Sequence, residues 1–164
     1  MRVLEDCIQI RAPYFATDAQ IRQFIDKNRA WIEKKHAQQA ELSKIVPLTE
    51  DEIKAFIEQA KVDLPRRVAH FASLVGVTVN RITIRGQKTR WGSCSAKGNL
   101  NLNFLLMLAP EEVRDSVVVH ELCHLKEMNH SADFYKEVYR VFPQYDETHK
   151  WLKIHGEELL KKIK

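Results

Sequence analysis

Residues 117–125, with the sequence VVVHELCHL, place two histidines and a glutamate inside an otherwise apolar run. Such polar side chains are buried only where hydrogen bonds, opposite charges or a metal ion satisfy them. On a helix, residues four apart lie on the same face, with Cβ atoms about 5–6 Å apart. His120 and His124 therefore have the spacing of two ligands to one zinc ion. The segment predicts a buried helix that carries a metal site on one face.

Two further residues complete the predicted metal centre. Glu121 follows His120 directly and borders the metal, where a carboxylate can act as general base toward a water molecule that the ion activates. Catalytic zinc takes three protein ligands and keeps a fourth position for water. His130, six residues beyond His124, is the candidate third ligand. The predicted site is thus His120, His124 and His130 around zinc, with Glu121 as the catalytic base.

The chain must leave the helix between His124 and His130 to bring the third imidazole back. Asn129 suits that turn, because asparagine tolerates the left-handed conformation found beyond helix ends. The spacing H-E-x-x-H-x5-H is similar to that of metzincin proteases. However, Glu127 stands where those proteases have glycine, and no methionine follows in the position of their Met-turn. The chain is therefore not predicted to be a metzincin.

Periodicity along the rest of the chain indicates an α+β fold. Capping boxes at Thr17 and Thr49 open helices, the first expected over residues 18–38 and the second passing Pro65, which should kink or restart it. Arg81–Arg85 and residues 99–104 alternate apolar and polar side chains, as strands do, around a polar loop. Later apolar stripes predict helices on both sides of His130 and at the C-terminus.

Composition and charge narrow the class of protein. No apolar stretch reaches the length of about 20 residues that spans a bilayer, and the first residues lack the layout of a signal peptide. Three cysteines without paired spacing favour a reducing, cytoplasmic setting. The net charge of +4 comes without a nucleic-acid-binding motif, so nucleic acid is not an expected partner.

The length of 164 residues fits one domain. Within it, residues 1–46 are expected to form an N-terminal strand and helix, and residues 47–164 a metal-binding core. The sequence leaves the oligomeric state open.

Five segments, in this order and spacing, resemble the YgjP-like metallopeptidase domain family, which is similar to the SprT-like and WLM zinc proteases. They are RWGSCS from Arg90, NLNLNF from Asn99, Ala109-Pro110, VVHELCHLK from Val118 and NHSxxF from Asn129. The resemblance implies a zincin-like α+β fold, a small twisted sheet over the HExxH helix, with additional N-terminal and C-terminal helices. It also implies that the three histidines bind zinc and that Glu121 is the base. The family's N-terminal strands are shortened here to residues 3–10.

Other residues near the motif have two interpretations each. Arg90 could hold a substrate anion or cap a carbonyl, and Trp91 could wall the pocket or lie in the core. The strand over residues 99–104 could pair with an extended peptide or be a plain edge strand. Tyr135 and Tyr145 could each donate a hydrogen bond in the site. Cys94 lacks a dedicated base, which argues against a nucleophile.

The sequence therefore predicts a zinc-dependent hydrolase that acts on a peptide or protein. Two alternatives stay open. Lys88, Arg90 and Lys97 beside a metal would suit a phosphoanhydride, so a metal-dependent nucleoside triphosphate pyrophosphatase is the first. A SprT-like protease acting on nucleic-acid-bound proteins is the second.

Overall fold

The computed structural model describes residues 1–3 and 7–163, which divide into two compact units, Met1–Val46 and Pro47–Lys164. The prediction of a single domain over residues 1–164 stays a prediction. The predicted N-terminal strand region, residues 3–10, includes residues 4–6, which lie outside the described residues. Within the described residues, no helix combines the length and apolar character of a membrane span.

The described residues of the first unit form two short strands and two helices. Strands β1 (Arg2–Val3) and β2 (Ile8–Gln9) pair antiparallel. Helix α1 spans Asp18–Lys27 and helix α2 spans Arg29–Ser43, so the prediction of one helix over residues 18–38 was wrong. The break lies at Asn28, whose side-chain amide donates to the carbonyl of Phe24 at 2.7 Å. Asparagine competes in this way with the helical hydrogen bonds of the backbone.

The second unit is a mixture of helices and strands. Its elements are α3 (Glu50–Val75), β3 (Arg81–Arg85), β4 (Gly92–Cys94), β5 (Asn99–Asn103), a 3-10 helix (Phe104–Leu108), α4 (Glu111–Cys123), α5 (Ala132–Val141) and α6 (Tyr145–Leu160).

Helix α3 begins at the predicted capping box of Thr49 with Glu52 and ends at Gly76, whose φ of 80° is left-handed. Pro65 lies inside this helix, which runs without a break from Glu50 to Val75. One stripe of α3 is buried in the core of the second unit. This stripe includes Leu64 and Val68. The core also takes side chains from β5, the 3-10 helix, α4 and α5, among them Leu100, Leu102, Leu105, Val118, Val119, Leu122 and Phe134.

The three-stranded sheet has the order β3-β5-β4. Strand β5 is parallel to β3 and antiparallel to β4, so both of its edges are paired. The interpretation of residues 99–104 as a strand free to pair with a peptide was therefore wrong. Among the described strands, β4 is the edge strand nearest the helix of the HExxH motif. The sequence had predicted a loop there.

A row of asparagines on β5 joins this sheet together. Asn101 accepts a hydrogen bond from the Arg85 guanidinium on β3 and donates one to the Ser93 hydroxyl on β4. Asn103 is fully buried and donates to the carbonyls of Gln87 and Arg90, at 2.7 and 3.0 Å. These bonds fix the loop that precedes β4, and with it the backbone of Arg90.

Helix α4 carries the HExxH motif through the centre of the second unit. It begins after Pro110, and Glu111 and Glu112 lie in its first turn, where the positive end of the helix dipole favours negative charge. Arg67 of α3 contacts both Asp63 of its own helix and Asp115 of α4. Because these side chains are largely shielded from water, the ion pairs hold α4 against α3 at a defined position.

Candidate metal centre

Three imidazoles converge at the C-terminal end of α4. The Nε2 atom of His120 lies 3.2 Å from Nε2 of His124 and 3.2 Å from Nε2 of His130. Zinc at about 2.0–2.1 Å from each nitrogen of a tetrahedral site would set the nitrogens about 3.3 Å apart. Among the described residues, no other His, Cys, Asp or Glu joins this group. The arrangement fits a metal ion with three protein ligands.

The backbone after α4 turns sharply to bring His130 back. Helix α4 ends at Cys123, and His124 caps it with helical backbone angles, φ −62° and ψ −19°. The predicted left-handed conformation at Asn129 was wrong, because no described residue other than glycine has a positive φ. Instead, the Asn129 side chain accepts a hydrogen bond from the backbone N–H of Ser131 at 3.0 Å. Ser131 in turn caps α5, which is one of the helices predicted on either side of His130.

Hydrogen bonds on the far side of the rings set their orientation. Nδ1 of His124 donates to the backbone carbonyl of Glu127 at 3.1 Å. A carbonyl can only accept, so this bond places the ring proton on Nδ1 and leaves a lone pair on Nε2. Nδ1 of His120 lies 2.8 Å from the hydroxyl of Tyr145, which lies 3.5 Å from Nδ1 of His149. Such partners fix the tautomer and angle of metal-binding histidines.

The fully buried ring of Phe134 lies against all three histidines. Its centroid is 5.0 Å from that of His120, 4.6 Å from that of His124 and 5.0 Å from that of His130. Burial and the neighbouring imidazoles lower the pKa of His120 to about 3, and burial also lowers the pKa of His124. These two rings are therefore neutral near pH 7, with lone pairs available for a metal.

Glu121 lies under strand β4 with only 7% of its surface exposed. A Cβ atom added at Gly92 would come within 2.6 Å of both Cγ and Oε1 of Glu121. The absence of a side chain at Gly92 is therefore what makes room for this carboxylate. Burial raises the pKa of Glu121 to about 7, although the charge of Arg90 lowers it.

A cavity of about 370 Å³ opens in front of Glu121 and His120. Arg90 and Trp91 both line it, together with Gly92, Ser116, Val117, Tyr145, His149, Leu152 and Lys153. The indole of Trp91 also packs against Gly156 of α6, so this residue is both part of the core and a wall of the cavity. The structure thus brings all six predicted site residues into one region of the second unit.

Three further residues were candidates from the sequence: Lys88 and Lys97 as cations beside the metal, and Cys94, whose lack of a base argued against a nucleophile. The thiol of Cys94 is half-buried beside Glu121, and burial raises its pKa to about 11, which keeps it protonated and unreactive. Lys97 does not line the cavity, and Lys88 lines a neighbouring cavity of about 310 Å³.

Three polar residues of α6 that line the cavity were not assigned to the site from the sequence. His149 is half-buried and hydrogen-bonded to Tyr145. Tyr145 had been indistinguishable from Tyr135, and Lys153 had not been considered. The spacing of Tyr145, His149 and Lys153 at intervals of four places them on one helix face, which is the signal that could have grouped them.

The fold and the group of three histidines are those of a metallopeptidase-type domain. Residues 48–155 match the sequence profile described as YgjP-like, metallopeptidase domain. The match covers more than half of the chain, and the chain belongs to this family. The predicted family membership is confirmed.

Two solved metallopeptidase zymogens are similar in structure. Abylysin from Pyrococcus abyssi is 27% identical with a TM-score of 0.51, over 57% of this chain and 93% of that structure. Jannalysin from Methanocaldococcus jannaschii is 27% identical with a TM-score of 0.49, over 58% of this chain and 96% of that structure. The likeness to abylysin confirms the predicted zincin-like α+β fold.

One relative of known sequence is named for a reaction other than peptide hydrolysis. The UTP pyrophosphatase of Escherichia coli strain K12 is 35% identical over 69 residues, which are 40% of this chain and 41% of that protein. The chain thus spans about two fifths of the length of this relative.

The hydrogen bond between Tyr145 and His120 leads to a first prediction. Removing the hydroxyl in Tyr145→Phe should weaken zinc binding about tenfold, because Nδ1 of His120 loses the partner that orients the ring. Competition with a fluorescent chelator measures the affinity. Tyr139→Phe is the matched control, since that hydroxyl donates to Asp146 at 2.7 Å and touches no histidine. Equal affinities in the two variants would contradict the role of Tyr145.

Proposed function

We propose that the protein is a zinc-dependent peptidase in which His120, His124 and His130 hold the ion and Glu121 is the general base. The observation that carries this proposal is the convergence of three Nε2 atoms beside a buried carboxylate that faces a cavity. Imidazole ligands favour zinc over magnesium or calcium, which prefer oxygen. When bound, the ion would supply a Lewis acid that polarises a carbonyl and lowers the pKa of water.

Proton transfer between the attacking water and the leaving group is carried out by a side chain of the protein. The carboxylate of Glu121 accepts a proton from the attacking water and delivers it to the nitrogen of the leaving amine. Strand β4, at the edge of the sheet and next to Glu121, is in position to pair with an extended peptide. We assign Arg90 and Trp91 to substrate binding because both line the cavity in front of the base.

The site lies within Pro47–Lys164, and we propose that this unit carries the whole activity. The free cysteines Cys7, Cys94 and Cys123 are consistent with a reducing, cytoplasmic setting.

Hydrolysis of a nucleoside triphosphate is the second candidate. Two observations favour it: the similarity to a UTP pyrophosphatase, and the cationic side chains of Arg90 and Lys153 beside Glu121. The fully imidazole donor set favours the peptidase, because phosphoanhydride hydrolases commonly rely on magnesium held by carboxylates.

A direct experiment separates the two reactions. The purified protein is stripped of metal, reloaded with zinc, magnesium or manganese, and incubated with a peptide mixture or with UTP. We expect cleaved peptides by mass spectrometry with zinc alone, and loss of cleavage on chelation. Release of pyrophosphate from UTP with magnesium, without peptide cleavage, would overturn the peptidase proposal.

A further inference from the structure

The cavity in front of Glu121 carries positive charge that the proposed hydrolysis does not itself require. Arg90 lines it from the loop before β4, and Lys153 lines it from α6. Within residues 1–3 and 7–163, neither side chain forms an ion pair with a carboxylate within 4.0 Å, whereas ten such pairs form elsewhere. Glu121 is the one acidic residue among the side chains that line the cavity. Two cations are therefore available to a ligand.

Arg90 and Lys153 belong to separate structural elements, the loop before β4 and helix α6. The backbone at Arg90 is fixed by the buried side chain of Asn103, which donates to its carbonyl at 3.0 Å. Lys153 lies on the face of α6 that also presents Tyr145 and His149, and Tyr145 is bonded to His120. The backbone positions from which the two side chains reach the cavity are thus set by the sheet on one side and by α6 on the other.

The remaining walls of the cavity are largely apolar. Trp91, Val117 and Leu152 contribute hydrocarbon or aromatic surface. A side chain with an aliphatic stem and an anionic end matches this distribution, because the stem can lie on the apolar wall while the carboxylate reaches the cations. A basic side chain would meet like charges instead.

We propose that this cavity is a specificity subsite for an acidic residue next to the scissile bond, with glutamate as the preferred side chain. This inference rests on the proposed peptidase function and deepens it. The volume of about 370 Å³ exceeds one glutamyl side chain because the cavity also includes the space in front of His120 and Glu121, where the scissile bond would lie. Arg90 and Lys153 are the specificity-determining residues.

The first test compares substrates that differ in one charge. Zinc-loaded protein is given matched peptides with Glu, Gln or Lys beside the cleaved bond, and kcat/KM is measured for each. We expect the Glu peptide to be preferred over the Gln peptide about tenfold or more, as a charge-assisted hydrogen bond would give. Lys153→Met and Arg90→Met should each bring the ratio toward one. Lys150→Met, an exposed lysine on the same helix that does not line the cavity, should leave the ratio unchanged.

A second test does not depend on turnover. Binding of the same peptides to zinc-loaded Glu121→Gln protein is measured by titration calorimetry, with and without Lys153→Met. Preferential binding of the Glu peptide that is lost with Lys153→Met supports the subsite, even if the native protein cleaves no peptide and the proposed function fails. Cleavage or binding without a preference for the Glu peptide overturns the subsite and leaves the peptidase intact. Binding of UTP that depends on Lys153, with no preference among the peptides, would also overturn it.

Discussion

The Glu121→Gln variant should retain its metal and lose about 10³-fold in kcat/KM, within the range that a positioned general base contributes. Glutamine has the same shape as glutamate, so it can occupy the space that Gly92 leaves under β4. Its amide cannot accept the proton that the attacking water must lose. The imidazoles of His120 and His124 are oriented by hydrogen bonds to Tyr145 and to the carbonyl of Glu127, and neither bond involves Glu121.

Two measurements decide this prediction together: zinc content by atomic absorption and kcat/KM on a cleaved peptide. Glu112→Gln is the matched control, because it removes an exposed carboxylate from the first turn of the same helix. Full activity in Glu121→Gln would remove this residue from the mechanism. Loss of zinc in Glu121→Gln would instead mean that the carboxylate contributes to metal binding.

The metal centre was predictable because its pattern is local. His120 and His124 lie four residues apart on one helix, so helical geometry alone brings them together. The return of His130 required only that the helix end in time, and Ser131 signals the next helix directly. The capping boxes at Thr17 and Thr49 were readable for the same reason, since each bond joins residues three apart.

The surroundings of the metal were harder to predict because they depend on contacts between distant segments. Strand β4 has only three residues, Gly92–Cys94, which is too short for an alternating pattern to show. Tyr145 acts on His120 from 25 residues away. The alternating pattern gives Asn103 as one of three polar positions on a strand, yet it is fully buried, and its amide donates to two loop carbonyls.

Hydrogen bonds between asparagine side chains and nearby backbone groups also explain two errors in the predicted backbone. At Asn28 the side chain takes a helical carbonyl, and a continuous apolar stripe does not reveal this. At Asn129 the side chain caps the N–H of Ser131 instead of adopting a left-handed turn. Asparagine satisfies backbone groups in either way, and which one occurs depends on where the chain must go next.

Gly92→Ala should cost about 10²-fold in kcat/KM while leaving the metal in place, although it changes no ionisable group. The new Cβ would lie 2.6 Å from Cγ and Oε1 of Glu121 and 2.8 Å from its Cδ, closer than carbon atoms approach in proteins. The neighbour that can give way is the flexible glutamate side chain, so the carboxylate must move. A displacement of about 1 Å at a reacting group is enough for a loss of this size.

Gly76→Ala separates displacement of the base from loss of stability. Its φ of 80° is unfavourable for alanine, but a Cβ there would meet nothing within 4 Å, so the variant should lose stability and keep its activity. Combining Gly92→Ala with Glu121→Gln gives the sharper test. If the alanine acts only by moving the carboxylate, it should cost almost nothing once the carboxylate is gone, and the two effects will not add. Additive losses would mean that Gly92 serves the reaction in another way, for instance by admitting the substrate backbone along β4.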